Sequence, residues 1–525
     1  MRANVYLCGP PGAGKTTAAP LLAALRGVDA IDVDSVIEAE AGLSIAALIE
    51  RDGLAAFRRR ERETIATLAA RGGAVVALGG GALEDPVNRD VIDASGTLVF
   101  LDASLETCAE RTARDGGTRP LLREPGALAR LHAERRPRYQ QAAIRVVVDG
   151  LDPGAIARAV DEALRRERIV HVATGRPYDV AIGSDAVDAL PLRVRPQPGA
   201  RVVIVTDERV VALAARAAQA YEAAGFATTI VAVEADEGLK SLDALAMLYD
   251  RFIEAKLDRR GLIVAVGGGT IGDAVGFAAA TFQRGVPLVN IPTTLLAAVD
   301  SAIGGKTAVN LAAGKNLVGT VTQPAHVAIV PEALRSLERR DVVSGFGEML
   351  KYGLALDAEL YRALRAGEAA LLDDPATALD AIARCVELKA EIVARDEEDL
   401  TGIRAILNFG HTVGHALEKI AGYGALRHGE AVIVGMRAAL SLSVARGLLD
   451  PSARAEADAH LASLPVPPTW RELPAVAVAE ATKGDKKRHA GGTSFVLLER
   501  IGASRVDDGV GERELRGALA ELGLR

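Results

Sequence analysis

Short apolar runs alternate with amphipathic stretches over the first third of the chain. The stretches between the apolar runs, such as 17–25 and 152–167, repeat their apolar positions with helical spacing. Apolar strands that alternate with helices form a parallel sheet covered by helices. The pattern therefore predicts an α/β domain over 1–166, with strands near 4–8, 74–78, 98–101 and 145–148.

A second α/β pattern follows a charged segment, 167–176, that has no strong period and that we expect to be a linker. Strands are predicted at 201–205, 229–233, 262–266, 288–291 and 327–330. From 336 onward the pattern is mainly helical, apart from a late strand at 494–498 and a final helix at 512–522. The region 177–525 is thus expected to consist of an α/β nucleotide-binding part, 177–335, and a mostly helical part, 336–525.

Composition narrows the class of protein. A net charge of -7 without a basic stripe argues against a nucleic-acid partner. Cys8, Cys108 and Cys385 lie far apart, which fits a reducing cytoplasm and excludes a Cys-based zinc site. Met1 runs straight into a strand, and the most apolar stretch, 261–282, contains six Gly and an Asp. We therefore expect a cytoplasmic enzyme with neither a signal peptide nor a membrane span.

A phosphate-binding loop of the form G-x-x-x-x-G-K-T occupies 9–16, between a predicted strand and a predicted helix. Turn amides and a helix N-terminus surround phosphate oxygens, the Lys adds a charge, and the Thr hydroxyl reaches Mg²⁺. The motif predicts ATP at Gly12, Ala13, Gly14, Lys15, Thr16 and Thr17.

Polar residues near this loop suit a small kinase. Asp32 and Asp34 could support Mg²⁺ and accept a substrate proton, although an N-cap and a surface acid would explain them too. Arg58 and Glu61, spaced i,i+3, could hold a substrate carboxylate, or form an ordinary solvated face. The Gly triplet 79–81 lets a small polyol approach the backbone, and 114–123 is predicted to be a mobile lid that carries Arg119.

Taken together, these motifs and the Arg135-x-Pro137-x-Tyr139 segment resemble shikimate kinase. The resemblance implies that shikimate contacts Asp34, Arg58, Gly79, Gly80, Gly81 and Arg135. It implies catalytic roles for Lys15, Asp34 and Arg119, with Arg119 also on ATP, Arg111 near the adenine, and Thr16 and Asp32 at Mg²⁺.

Three features stand out in the second region. The run 267–273 matches G-x-G-x-x-G after a strand, but the acid expected about 20 residues later is missing, so a standard Rossmann site is not favoured. Its glycine turn could still hold a pyrophosphate, and Asp207 could bind a ribose. The cations scattered between Gly residues over 284–316 suit an anionic substrate, although a solvated loop is the alternative for any single Lys.

The third feature is a histidine cluster. His411 and His415 are spaced i,i+4, hence on one helix face, and His428 follows closely. Three protein ligands with an open position are the catalytic zinc pattern, and the Glu of peptidase zinc motifs is absent. Glu348 is a candidate carboxylate ligand.

From about 175 to the end, the chain resembles 3-dehydroquinate synthase, on the stretches 267–316 and 404–430. The resemblance implies zinc, or cobalt, on Glu348, His411 and His428, and catalytic roles for Asp300, Lys306, Lys351 and His415. Implied substrate residues are Arg284, Asp300, Lys306, Lys351, Lys389, Arg404, Asn408, His415 and Lys487. Implied NAD residues are Asp207, Glu237, Lys240, Gly268, Gly269, Thr270, Asp273, Thr293, Thr294, Lys306, Lys315 and Asn316.

The two resemblances imply a bifunctional enzyme of the shikimate pathway, which supplies chorismate and aromatic amino acids, and a homodimer formed through the cyclase region. One site would phosphorylate shikimate with ATP, and the other would cyclise 3-deoxy-D-arabino-heptulosonate 7-phosphate to 3-dehydroquinate with NAD and zinc. The alternatives are a different small-molecule kinase, a different sugar-phosphate cyclase, or a regulator that binds ligands without turnover.

Overall fold

The computed structural model describes residues 4–71, 73–114, 126–140, 142, 144–312, 314–373, 375–422, 424–483, 488–489 and 492–524. The chain divides into two compact units, Met1–Ile169 and Val170–Arg525. Within the described ranges, no helix is long and apolar enough to cross a membrane.

The first unit is a five-stranded parallel sheet in the order β2-β3-β1-β4-β5. Its strands are β1 Asn4–Cys8, β2 Asp29–Asp32, β3 Ala74–Ala77, β4 Gly96–Asp102 and β5 Ile144–Val147. Its helices are α1 Lys15–Arg26, α2 Val33–Ala41, α3 Ile45–Asp52, α4 Leu54–Arg71, α5 Pro86–Ser95, α6 Leu105–Arg114, α7 Ala127–Tyr139 and α8 Pro153–Arg166. The predicted α/β class and all four predicted strands are confirmed.

The central strand β1 shows why this sheet is covered on both sides. Val5 and Leu7 point into one apolar cluster, while Tyr6 and Cys8 point into another. Side chains alternate between the two faces of a strand, so a continuous apolar run requires a layer on each face. The carboxyl end of β1 then leads directly into the phosphate-binding loop.

The second unit contains a seven-stranded sheet in the order β6-β7-β14-β11-β10-β8-β9. Its strands are β6 Glu167–Val172, β7 Tyr178–Gly183, β8 Arg201–Asp207, β9 Ala227–Val233, β10 Leu262–Gly267, β11 Leu288–Pro292 and β14 His326–Ile329. Three two-stranded pairs are β12 Lys306–Leu311 with β13 Gly314–Val321, β15 Arg488–His489 with β16 Gly492–Thr493, and β17 Phe495–Arg500 with β18 Ala503–Asp507.

Helices surround this sheet and then form the rest of the unit. The first group is α9 Leu190–Arg193, α10 Val211–Ala223, α11 Leu242–Glu254 and α12 Gly269–Thr281. The second group is α13 Arg339–Leu356, α14 Ala358–Ala363, α15 Gly367–Asp373, α16 Pro375–Arg395, α17 His411–Ala421, α18 His428–Ala445, α19 Pro451–Ser463, α20 Ala475–Thr482 and α21 Glu512–Glu521. The predicted helical character of the C-terminal part is confirmed.

Two parts of the second unit differ from the sequence prediction. The segment predicted as a linker, 167–176, begins with strand β6, whose charged first residues hide its alternation. The sequence predicted no strand within 306–321, but this stretch contains the hairpin β12–β13, whose half-exposed strands lack a strong apolar pattern.

Candidate active sites

Glycines shape the phosphate-binding loop between β1 and α1. Gly9, Gly12 and Gly14 have φ values of 147°, 85° and 98°. A Cβ on Gly9 or Gly12 would also lie 2.7 Å from the backbone oxygen of Leu101 or Cys108. The loop can therefore pack this closely only with glycine at these positions.

The charged and hydroxyl residues of the loop are placed for a nucleotide and a metal ion. Lys15 Nζ donates to the backbone oxygens of Gly9 at 2.7 Å and Pro10 at 3.2 Å. Thr16 Oγ1 donates to Asp32 Oδ2 at 2.8 Å. A hydroxyl and a carboxylate in contact provide the oxygen ligands that Mg²⁺ prefers, so these residues fit that ion.

Arg111 packs against the loop. Its Nη1 donates to the backbone oxygens of Gly12 and Ala13 at 3.4 and 3.3 Å, and its Nη2 donates to that of Leu151 at 2.8 Å. Arg111 therefore steadies the loop, and its role near adenine stays a prediction. Arg119 lies outside the described residues.

The Gly triplet lies among the predicted acceptor residues. A Cβ on Gly79 would be 2.8 Å from both Asp34 Oδ1 and Glu61 Oε1, and one on Gly81 would overlap the Arg58 guanidinium. A Cβ on Gly80 would be 3.4 Å from Arg135 Nη1. The predicted shikimate residues are thus brought together around backbone that has no room for side chains.

The two arginines of this pocket are linked by carboxylates. Arg58 Nη1 pairs with Glu61 Oε2 at 2.7 Å, which confirms the predicted helix-face pair. Arg58 Nη2 and Arg135 Nε both bind Glu84, at 2.9 and 2.6 Å. Burial raises the pKa of Glu61, with Arg58 opposing the shift and Asp34 and Glu84 adding to it. The sequence analysis missed Glu84, because nothing in its spacing marks it.

In the second unit, the glycine turn lies where parallel strands end. The strand register aligns Gly267 of β10 with Pro292 of β11, and Val266 with Thr206, the residue before Asp207. The turn leads into the N-terminus of α12, and Thr293, Thr294 and Thr270 lie at the same edge. A Cβ on Gly268 would be 3.1 Å from Thr294 Cγ2. Ligands bind at such carboxyl-end crevices in open α/β sheets.

Five of the predicted NAD residues form two ion-paired clusters beside α12. Lys240 Nζ binds Asp273 Oδ2 at 2.6 Å and Asn316 Oδ1 at 2.5 Å. Lys315 Nζ binds Glu237 Oε1 at 2.8 Å. Burial raises the pKa of Asp273, and Lys240 opposes that shift. The hairpin β12–β13 therefore carries its polar residues to the α12 N-terminal side.

Asp207 is engaged by a residue that the sequence analysis missed. Arg209 Nε and Nη2 contact the Asp207 carboxylate at 2.5 to 3.0 Å. Burial would raise the pKa of Asp207, but these bonds outweigh it and lower that pKa. A ribose that used Asp207 would have to share this carboxylate with Arg209.

Three predicted metal ligands converge at the start of α17 and α18. Glu348 Oε1 lies 3.6 Å from His411 Nε2 and 3.7 Å from His428 Nε2. Glu348 is completely buried, and no hydrogen-bond donor in the described part of the chain reaches its Oε1. Such an atom is costly unless a cation pairs with it. These residues therefore fit a zinc ion.

The other ring nitrogens orient both histidines. His411 Nδ1 donates to the Phe409 backbone oxygen at 3.3 Å, and His428 Nδ1 donates to Glu418 Oε2 at 3.2 Å. A carbonyl and a carboxylate oxygen accept here, so each Nδ1 carries a proton, and in the neutral ring each Nε2 then presents a lone pair. Glu418 was also missed, although it lies seven residues after His411 and so on the same helix face.

The pKa values of His411 and His428 are shifted in opposite directions. Burial, with Lys351 and the neighbouring histidines, lowers the pKa of His411 well below its usual value. Burial would also lower the pKa of His428, but the Glu418 bond and Glu348 raise it. One ring nitrogen from each of His411, His415 and His428 lies within 4.8 Å of the others. His415 is therefore close enough to be a ligand too, and its assignment as a non-ligand stays a prediction.

Buried cations lie next to this centre. Lys351 Nζ contacts Glu348 Oε2 at 2.5 Å, and Lys389 Nζ contacts Asp300 Oδ1 at 2.6 Å. Tyr352 also donates to Asp300 Oδ1, at 3.1 Å. Burial would raise the pKa of Asp300, but Lys389 and Lys351 hold it below its ordinary range. The predicted residues Asp300, Lys351 and Lys389 are thus assembled beside the metal ligands.

Further predicted substrate residues lie on neighbouring segments. Lys306 Nζ pairs with Asp399 Oδ2 at 2.8 Å, and a Cβ on Gly304 would be 2.8 Å from Arg404 Nη2. Asn408 ends the short helical segment Ile403–Asn408, directly before α17. Lys487 lies outside the described residues.

The placement of Arg284 in the phosphate pocket of the substrate stays a prediction. Arg284 follows the C-terminal end of α12, whereas the glycine turn lies at the N-terminal end. At 1.5 Å per residue, the helix separates the two by about 20 Å.

Comparisons with known proteins agree with this division. The shikimate kinase family model matches residues 11–165, the 3-dehydroquinate synthase N-terminal model matches 230–344, and the 3-dehydroquinate synthase C-terminal model matches 345–488. The 3-dehydroquinate synthase of Rhodopirellula baltica is 42% identical over 61% of this chain and 86% of that protein. The one of Enterococcus faecalis OG1RF is 42% identical over 63% and 92%.

A solved structure is similar to the second unit as well. ValA, a 2-epi-5-epi-valiolone synthase from Streptomyces hygroscopicus with NAD⁺ and Zn²⁺ bound, is 29% identical, with a TM-score of 0.58, over 66% of this chain and 96% of ValA. The chain belongs to the 3-dehydroquinate synthase family, with a shikimate kinase region fused in front of the synthase region.

Proposed function

We propose that this bifunctional enzyme phosphorylates shikimate to 3-phosphoshikimate through the residues of the first pocket. It cyclises 3-deoxy-D-arabino-heptulosonate 7-phosphate to 3-dehydroquinate, with loss of phosphate, at the second. The observation that carries the second assignment is Glu348 Oε1, buried without a donor between two histidines and bordered by lysines. The first rests on the phosphate-binding loop beside two arginines and three carboxylates.

In the first pocket, each group has a distinct task. Lys15 exchanges its bonds to loop carbonyls for bonds to the phosphates of ATP. Arg58 and Arg135 hold the shikimate carboxylate, and Asp34 accepts the proton of the attacking hydroxyl. When bound at Thr16 and Asp32, Mg²⁺ supplies positive charge for the phosphate oxygens.

In the second pocket, Glu348, His411 and His428 hold zinc, and the clusters around Lys240 and Lys315 hold NAD. When bound, these two groups supply a Lewis acid for a substrate hydroxyl and a reversible hydride acceptor, so no net oxidation results.

The chain's own residues then bind and orient the substrate. Lys351, Lys389 and Arg404 are mostly buried cations that face an anionic ligand. Asp300, ionised by its contact with Lys389, accepts hydrogen bonds from substrate hydroxyls. His415, beside the metal ligands, exchanges a proton with the substrate.

The position of Arg284 supports a homodimer. Gln283 and Arg284 have left-handed φ values of 53° and 67°, an unusual backbone for non-glycine residues that is often found at functional sites. Arg284 lies about 20 Å along α12 from the glycine turn of its own chain, and we propose that it binds the substrate phosphate of a second copy. We also propose a cytoplasmic location, which the absence of a disulfide between Cys8, Cys108 and Cys385 in the described part of the chain supports.

A different sugar-phosphate cyclase is the second candidate for the rear pocket, because ValA shares its fold. The cations Lys306, Lys351 and Arg404 favour a carboxylated substrate over a sugar phosphate that lacks a carboxylate. A substrate panel on the purified chain tests this choice. We expect turnover of the heptulosonate phosphate and of shikimate; turnover of only non-carboxylated sugar phosphates, or binding without turnover, would refute it.

A further inference from the structure

Glu84 occupies the place that the proposed function assigns to the acid group of the substrate. Its Oε1 accepts from Arg135 Nε at 2.6 Å, and its Oε2 accepts from Arg58 Nη2 at 2.9 Å. Each oxygen therefore pairs with a different guanidinium, which is how a bound carboxylate would bridge two arginines. A substrate acid and Glu84 cannot use these two donors at the same time.

The carboxylates already present in the pocket also oppose the binding of a further acid. Among the described residues, Glu61 and Glu84 pair with Arg58 and Arg135, and the carboxylate of Asp34 lies beside that of Glu61 at the backbone of Gly79. A substrate carboxylate would be the fourth acid, and it would enter against like charge unless one of the three moves away. Burial raises the pKa of Glu61, Arg58 opposes that shift, and the charges of Asp34 and Glu84 add to it.

Exposure identifies the acid that can leave. The Glu84 side chain is 36% exposed, whereas that of Glu61 is 1% exposed. Glu84 ends the short helical segment Ala82–Glu84 at the pocket rim, so its carboxylate can turn into water and be hydrated there. The Arg135 side chain, which is 8% exposed, needs an anionic partner in either state.

We propose that Glu84 is an internal competitor for the acid subsite of the kinase. It pairs with Arg58 and Arg135 while the pocket is empty, and a carboxylated substrate must displace it. Glu84 thereby lowers the affinity for the carboxylated substrate. The two arginines become available only to ligands whose own anionic group can replace the Glu84 carboxylate. This inference rests on the proposed kinase function and concerns a specificity-determining residue of that reaction.

Glu84→Gln tests the proposal, because the amide keeps the shape but loses the charge. Two partly exposed charge pairs compete with the ligand, so the Kd and KM for shikimate should fall about 5- to 30-fold, or ~1–2 kcal/mol. The Kd of the uncharged shikimate carboxamide should change less than about twofold. Glu84→Asp, which keeps the charge on a shorter side chain, should give an intermediate Kd.

Calorimetry on the full-length protein without nucleotide gives the Kd values, and steady-state assays give KM and kcat. The matched control is Glu63→Gln, an exposed acid on α4 without a described contact to either arginine, and cyclase activity reports the integrity of each preparation. Unchanged or weaker shikimate binding in Glu84→Gln would overturn the proposal, as would an equal gain for the carboxamide. A wild-type protein that does not phosphorylate shikimate would instead refute the proposed function.

Discussion

Removing the carboxylate of Glu418, which contacts His428 but is not a proposed metal ligand, should weaken zinc binding. Glu418→Gln replaces the acceptor that lies 3.2 Å from His428 Nδ1. The Glu418 carboxylate accepts the Nδ1 proton of His428 and so leaves Nε2 to face the metal. Burial would raise the pKa of Glu418, but the hydrogen bond with His428 lowers it. Loss of such an outer partner typically costs 10- to 100-fold in metal affinity, so we expect about 1.4–2.7 kcal/mol.

Competition with a chromogenic chelator, on the full-length protein, measures the zinc Kd of the variant and the wild type. Glu391→Gln is the matched control, because it removes an exposed acid of α16 that has no described contact with the metal ligands. Kinase activity should be unchanged in both variants, since the kinase residues lie in the other unit. A zinc Kd within twofold of the wild-type value in Glu418→Gln would refute the assigned role.

Two other perturbations have defined outcomes. Gly79→Ala places a methyl group 2.8 Å from Asp34 and Glu61, so kinase turnover should fall about 100-fold while cyclase turnover is kept; equal kinase rates would contradict the packing. Burial lowers the pKa of His326 to about 3, so the unfolded chain binds a proton that the folded chain does not. His326 alone should therefore lower the stability by about 2 kcal/mol from pH 7 to 5, and His326→Gln should remove that contribution. Fluorescence of Trp470, the chain's one Trp, follows unfolding of this unit, and an unchanged pH slope in the variant would contradict the prediction.

The sequence predicted most of the fold because buried parallel strands have a strong local signature. Strand β10 is apolar at nearly every position, and its glycine turn marks the start of α12. The hairpin β12–β13 was missed because its strands are half-exposed and therefore lack a strong apolar pattern, and strand formation depends on such context more than on local propensity.

The candidate sites were predictable where residues carry a motif and less so where they act through space. His411 and His428 could be identified from spacing, and the structure adds the Glu348 oxygen between them. Glu84 and Arg209 could not be identified, because an isolated charged residue beside a turn looks like an ordinary surface group. Glu84 pairs with Arg58 and Arg135, which lie far away in the sequence. Arg209 pairs with Asp207 only because of the path that the backbone takes after β8.

The proposed function gives one chain two independent active sites, a kinase site and a cyclase site. A pair of variants tests this independence most directly. Lys15→Ala removes the loop cation, His411→Ala removes a metal ligand, and both reactions are assayed on each preparation. We predict that the first variant abolishes shikimate phosphorylation and keeps most of the cyclisation, and that the second does the reverse. Loss of both activities from either single change, in protein that is still folded, would contradict the account.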